Sequence, residues 1–175
     1  MRQEFSISDY WLAFELRPET PPEGKALSEL FPGVDLAERY QRLTQAGTPF
    51  GAIFAVRRSM SNSRLALEAS EFARDAGRHH GFHARIFKAY FTDNLDIGDM
   101  EVILDLAREE GLNIEDLAAA LKEGRYRPRL EEAREEARQY GINAVPTFVI
   151  NGKAKIVGAQ GLDVFRKEFQ RLQSE

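Results

Sequence analysis

There is no cysteine among the 175 residues of this chain, and that one absence excludes several chemistries. Without thiols there is no disulfide staple, no thiolate ligand for zinc and no thiol–disulfide exchange, which needs a thiolate attacking a disulfide sulfur. Long apolar runs are missing too. Nothing approaches the roughly 18 consecutive apolar residues of a membrane span, and no basic start, apolar stretch and small-residue cleavage site combine near the N-terminus. The expectation is a cytoplasmic protein with no membrane partner, and the lack of cysteine agrees with a reducing compartment. Nor is there an excess of positive charge. The formal net charge is -4, and the basic clusters at Arg57-Arg58 and Arg125 to Arg129 abut carboxylates or apolar residues. They read as solvated faces, which argues against a nucleic-acid partner.

What remains is an ordinary globular composition, 43% hydrophobic and 30% charged. A chain of this length folds as one domain, 1–175, and buries on the order of 70% of its unfolded surface. The most informative stretch is Gly141 to Gln160, GINAVPTFVINGKAKIVGAQ. Gly141 reads as the left-handed cap of a charged helix, and Val145-Pro146 is a tertiary amide able to be cis. Thr147 to Ile150 is a β-branched and aromatic run, and Asn151-Gly152 supplies the two positive-φ positions of a type I′ turn, with Ala154 to Val157 returning antiparallel.

Upstream, Phe5 to Leu16 alternates with a change of phase at Ser8-Asp9. This predicts an interrupted strand with Tyr10, Leu12, Phe14 and Leu16 facing the core. Thr48 to Ser61 reads as an extended connection. Helices are expected from Asp35 to Ala46 on Leu36, Tyr40 and Leu43, and from Ser63 to Gly77 on Leu65, Ala69 and Phe72. Further helices are expected around Phe82 to Tyr90, from Asp99 to Gly111, from Asn113 to Gly124 and from Leu130 to Tyr140. A terminal helix buries Leu162, Phe165, Phe169 and Leu172 as a stripe.

Few residue clusters point to chemistry. His79 and His83 stand at the i,i+4 spacing of metal ligands, but Gly77 and Gly81 argue against a continuous helix there and no third ligand follows from the spacing. No metal site is expected. Asp93, Asp96 and Asp99 lack the glycine and bidentate glutamate of a calcium loop and read as helix caps. Ser61 and Ser63 have no identifiable histidine base and stay inert.

Trp11 to Gly24 (WLAFELRPETPPEG), Asn62 to Leu65 (NSRL), Phe87 to Phe91 (FKAYF), Asp96 to Asp99 (DIGD), Val145 to Phe148 (VPTF) and Gly158 to Gln160 (GAQ) occur in that order. Together they resemble the FrnE-like branch of the DsbA-type oxidoreductases, over roughly residues 11 to 172. The resemblance implies an α/β, thioredoxin-like (DsbA-type) fold with an inserted helical subdomain at approximately 63–124. It also implies a cis Val145-Pro146 bond whose loop, Val145, Pro146 and Thr147, contacts an extended peptide or protein substrate.

In that family a strand and a Cys-x-x-Cys turn opening a helix come before the segment matched by Trp11, and only ten residues precede it here. The expectation is therefore an N-terminally shortened member, with the first strand and active-site helix missing. It would have no catalytic residue, no cofactor and no redox activity. A non-enzymatic peptide- or protein-binding module is the rival, and a shortened relative of the 2-hydroxychromene-2-carboxylate isomerase and kappa-class glutathione transferase branch is a third reading. A missing strand would leave ladder partners unpaired. That predicts either a local rearrangement of Tyr10 to Leu16 or Arg2 to Ile7, or self-association through the N-terminal strand.

Overall fold

The computed structural model describes residues 1–174. Its elements in chain order are β1 (Lys25–Ala26), α1 (Leu27–Leu30), α2 (Leu36–Gly47), a 3-10 turn (Thr48–Phe50) and β2 (Ser59–Met60). Then come α3 (Arg64–Asp75), α4 (His79–Phe91), α5 (Met100–Glu109), α6 (Ile114–Glu123), α7 (Arg127–Gln139), β3 (Thr147–Ile150), β4 (Ala154–Val157) and α8 (Leu162–Gln173). Short polar side chains set several helix starts by satisfying first-turn amides. The Asp35 carboxylate accepts from the N–H groups of Ala37 and Glu38, Asp99 from Glu101, and Asn113 from Asp116.

The principal core lies among α3, α4, α5 and α6. Phe82, Ile103, Leu106, Leu117 and Leu121 are fully buried there, with Ala69, Ala73 and Ala89 letting the helices approach. Each large side chain so buried contributes about 1.5–3 kcal/mol. Helix α7 lays Leu130, Ala133 and Ala137 inward while its charged face carries the Glu131–Arg134 and Glu135–Arg138 pairs.

Two small antiparallel sheets flank this bundle. In the first, Lys25 pairs with Met60 and Ala26 with Ser59. Gly24 enters it at φ +80, and a Cβ there would lie 2.5 Å from the Met60 carbonyl oxygen, so only glycine fits. In the second, Thr147 pairs with Val157 and Ile150 with Ala154. Asn151 and Gly152 take positive φ, and the Lys153 N–H donates to the Ile150 carbonyl at 3.0 Å, closing the turn. Phe148 meets Phe165 of α8 edge-on at 4.9 Å, and Phe5 meets Phe169 at 5.2 Å.

Four sequence-based expectations need correction. No strand forms over Phe5 to Leu16, because among the described residues β3 pairs with β4 alone and no neighbour offers this segment a ladder. Its facing is also reversed: Ala13 and Glu15 are buried, whereas Tyr10 and Leu16 are exposed. The cause is ionic, since the Glu15 carboxylate is drawn inward by Arg64 at 3.1 and 3.2 Å and by Arg134 at 3.5 Å. The α8 stripe is only half covered, with Leu162 exposed and no residue of the helix buried. Finally, α4 begins at His79 and runs through Gly81, and in α2 only Tyr40 is buried, Leu43 lying in solvent.

Candidate functional site

The loop before β3 is held from both sides. Helix α7 ends at Gly141, φ 60, where the Ile142 N–H donates to the Ala137 carbonyl at 2.8 Å. Lys155 of β4 reaches back, its Nζ donating to the carbonyls of Tyr140 at 2.8 Å and Gly141 at 3.3 Å. This places a cation on the carboxyl end of α7, where the helix dipole favours it. The Val145–Pro146 peptide bond is cis. Beyond it the Pro146 carbonyl accepts the Gly158 N–H at 2.8 Å, and the Thr147 hydroxyl donates to the Ala144 carbonyl at 2.7 Å.

These bonds leave one residue open. Val145 is 52% exposed, and among the described residues nothing hydrogen-bonds to its N–H or C=O. It stands two residues before β3, whose second edge faces no strand among the described residues. Val145, Pro146 and Thr147 are thus brought together as a fixed turn beside an open sheet edge. Chemically they offer backbone hydrogen bonds and apolar contact. None of the three carries a group that titrates near neutral pH or ligates a metal strongly.

The titratable groups gather elsewhere. Arg74 of α3 donates to the Trp11 carbonyl at 2.6 Å, packs over Tyr10 and lies 3.0 Å from His79 Nε2. Glu71 pairs with Arg74 at 3.2 Å and Arg129 at 3.5 Å. Glu68 is fully buried and among the described residues neither carboxylate oxygen has a hydrogen bond, Arg127 Nε standing 3.5 Å away. Burial pushes its pKa up, the nearby arginines opposing this. These groups hold the segment before β1 and helix α7 against α3; a cleft of about 330 Å³ opens among them, lined by Tyr10, Glu71, Arg74, Arg129 and Glu132. Among the described residues no three His, Cys, Asp or Glu side chains converge as metal ligands.

Sequence reasoning missed Glu15 and Glu68, and it read Arg57 as part of a solvated face where the structure buries it. Arg57 is a buried cation whose Nη1 donates to the carbonyls of Tyr90 at 2.7 Å and Leu95 at 3.1 Å, capping the end of α4. The signal for Glu15 and Glu68 was a carboxylate inside an otherwise apolar period. The reading of alternation and helical stripes counted only apolar residues.

An α/β fold with a helical bundle, a β3–β4 hairpin, a final helix and a proline loop ahead of the hairpin is of the DsbA-like thioredoxin type. The chain belongs to the DSBA-like thioredoxin domain family, whose model matches residues 5–170. It is 35% identical over 167 residues to the uncharacterized protein YwbO of Bacillus subtilis, covering 90% of this chain and 78% of that one. It is 26% identical over 86 residues to the thiol:disulfide interchange protein DsbA of Pseudomonas syringae, covering 49% of this chain and 40% of DsbA. The crystal structure of a protein described as a probable DsbA oxidoreductase from Streptomyces coelicolor superposes with a TM-score of 0.84. The match is at 23% identity, over 93% of this chain and 74% of that one, and this likeness carries the fold alone.

Proposed function

We propose that these 175 residues act as a redox-silent binding module of the DsbA-like family, taking an extended polypeptide along Val145, Pro146, Thr147 and the open edge of β3. One observation carries this reading: the exposed Val145 keeps a free amide and a free carbonyl beside an unpaired strand edge, in a chain with no thiol. A peptide laid there as an added strand would satisfy those groups and rest its side chains on Val145 and Val149, both partly exposed. No bond is made or broken, no electron moves, and no cofactor is called for. The order of motifs from Trp11 to Gln160 supports a FrnE-like placement within the family, and the lack of cysteine supports a reducing, cytoplasmic setting.

Redox silence follows from the thiolate requirement. The test pairs two assays on the purified chain. Reduction of insulin disulfides should not exceed the buffer rate, and an unstructured cysteine-free peptide should shift the amide resonances of Val145 and Thr147 to Ile150. Turnover that tracks the protein peak would overturn the first half, and shifts that avoid this loop would overturn the second.

A further inference from the structure

Trp11 lies over helix α4 on an aromatic column. Its ring centroid is 4.5 Å from that of His83, which stacks on His79 at 5.3 Å and lies tilted against Phe87 at 4.6 Å. The tryptophan is also held by polar groups. Its Nε1–H donates to Asp9 at 2.9 Å, and its carbonyl accepts from Arg74 at 2.6 Å. At the centre of the column is an anomaly: His83 Nε2 is buried and has no hydrogen-bond partner among the described residues. We infer that Trp11 and His83 form an acid-released clasp, in which a proton on His83 ejects Trp11 from α4 and frees the segment around it.

An imidazolium has two N–H donors, and at the buried nitrogen no acceptor waits for one. The charges that face it have the wrong sign. His79 and His80 share its helix, and Arg74 comes from α3. The carboxylates nearby are committed or off the column: Glu71 to Arg74 and Arg129, Asp9 to Arg2 and Trp11, while Glu110 at the end of α5 packs beside Gly81. The π faces of Trp11 and Phe87 attract a cation, but weakly compared with the cost of burying an unpaired charge. Moving Trp11 aside lets water reach the ring.

Burial first, then His79, Arg74 and His80, lower the His83 pKa from 6.5 to about 4. With the folded value depressed, the closed form binds fewer protons than the opened one across this window, so closure weakens as pH falls from 6.5 toward 4. Glu68 cannot produce that loss. Its raised pKa makes the folded state weaken as pH rises, the opposite direction.

Trp11 is the single tryptophan of the chain, so its emission reads the clasp without a label. As pH falls from 6.5 to about 4, the emission maximum should move to longer wavelength and acrylamide quenching should rise, while far-UV circular dichroism keeps its neutral-pH helical signal. The His83→Phe variant keeps an aromatic ring in the column without a titrating nitrogen, and its emission should hold constant across the same range. Wild type and variant changing together, wild-type emission staying flat, or helical signal falling with the emission would each overturn the clasp. Should the variant not fold, proton NMR of the wild type decides: coincident midpoints for the His83 ring and the Trp11 indole support it, and separate midpoints refute it.

Discussion

Glu68 shows how far one side chain can depart from what its position suggests. It lies on a helix face among alanines and Phe72, fully buried, with both oxygens unbonded and a guanidinium just beyond hydrogen-bond reach. A carboxyl whose folded pKa is raised holds its proton longer in the native state, so stability is lost as pH rises above the unfolded value of 4.5. Replacing Glu68 with Gln should therefore stabilise the fold by about 1–2 kcal/mol at pH 8 and have little effect at pH 4.5. Urea denaturation at the two pH values checks this. Gly24 makes the opposite case, a residue with no freedom to change. At φ +80 and with the Met60 carbonyl 2.5 Å from where a Cβ would sit, Gly24→Ala should cost about 2–4 kcal/mol, read as a lower thermal midpoint.

Among elements, those written in local chemistry were legible. Asp35, Asp99 and Asn113 start their helices as side-chain caps. Asn151-Gly152 turns the hairpin, and Gly141 ends α7. What local pattern could not decide was the role of the segment from Phe5 to Leu16. Alternating apolar residues describe a strand only when another strand offers its edge, and here the partners are arginines of α3 and α7. The loop from Val145 to Thr147 could be located in the sequence, but the freedom of the Val145 amide and carbonyl is visible only once Gly158 is seen to take the Pro146 carbonyl. Arg57 was illegible for a similar reason, because its carbonyl partners lie 33 and 38 residues away. Arg57→Met should leave the part-buried carbonyls of Tyr90 and Leu95 without their guanidinium donor. It should cost about 2–4 kcal/mol, with hydrogen exchange accelerated first at the end of α4.

At the scale of the whole molecule, a well-packed helical core is flanked by two two-stranded sheets, and apolar side chains of the β3–β4 hairpin and α8 lie partly in solvent. An open strand edge next to such a surface templates pairing, with a peptide or with a second copy of the chain. If copies compete for the edge, sedimentation over a concentration series will show dimer at high protein concentration, and added peptide will dissociate it. On the proposed function, the edge at Val145 to Ile150 binds extended polypeptide without thiol chemistry. A few backbone hydrogen bonds at about 1 kcal/mol each imply a dissociation constant on the order of millimolar to a few hundred micromolar. Titration of the 15N-labelled chain with an unstructured cysteine-free peptide tests this directly. Saturable shifts at Val145 and Thr147 to Ile150 are expected, in an affinity range of that order. Unmoved amides along this stretch at saturating peptide would contradict it.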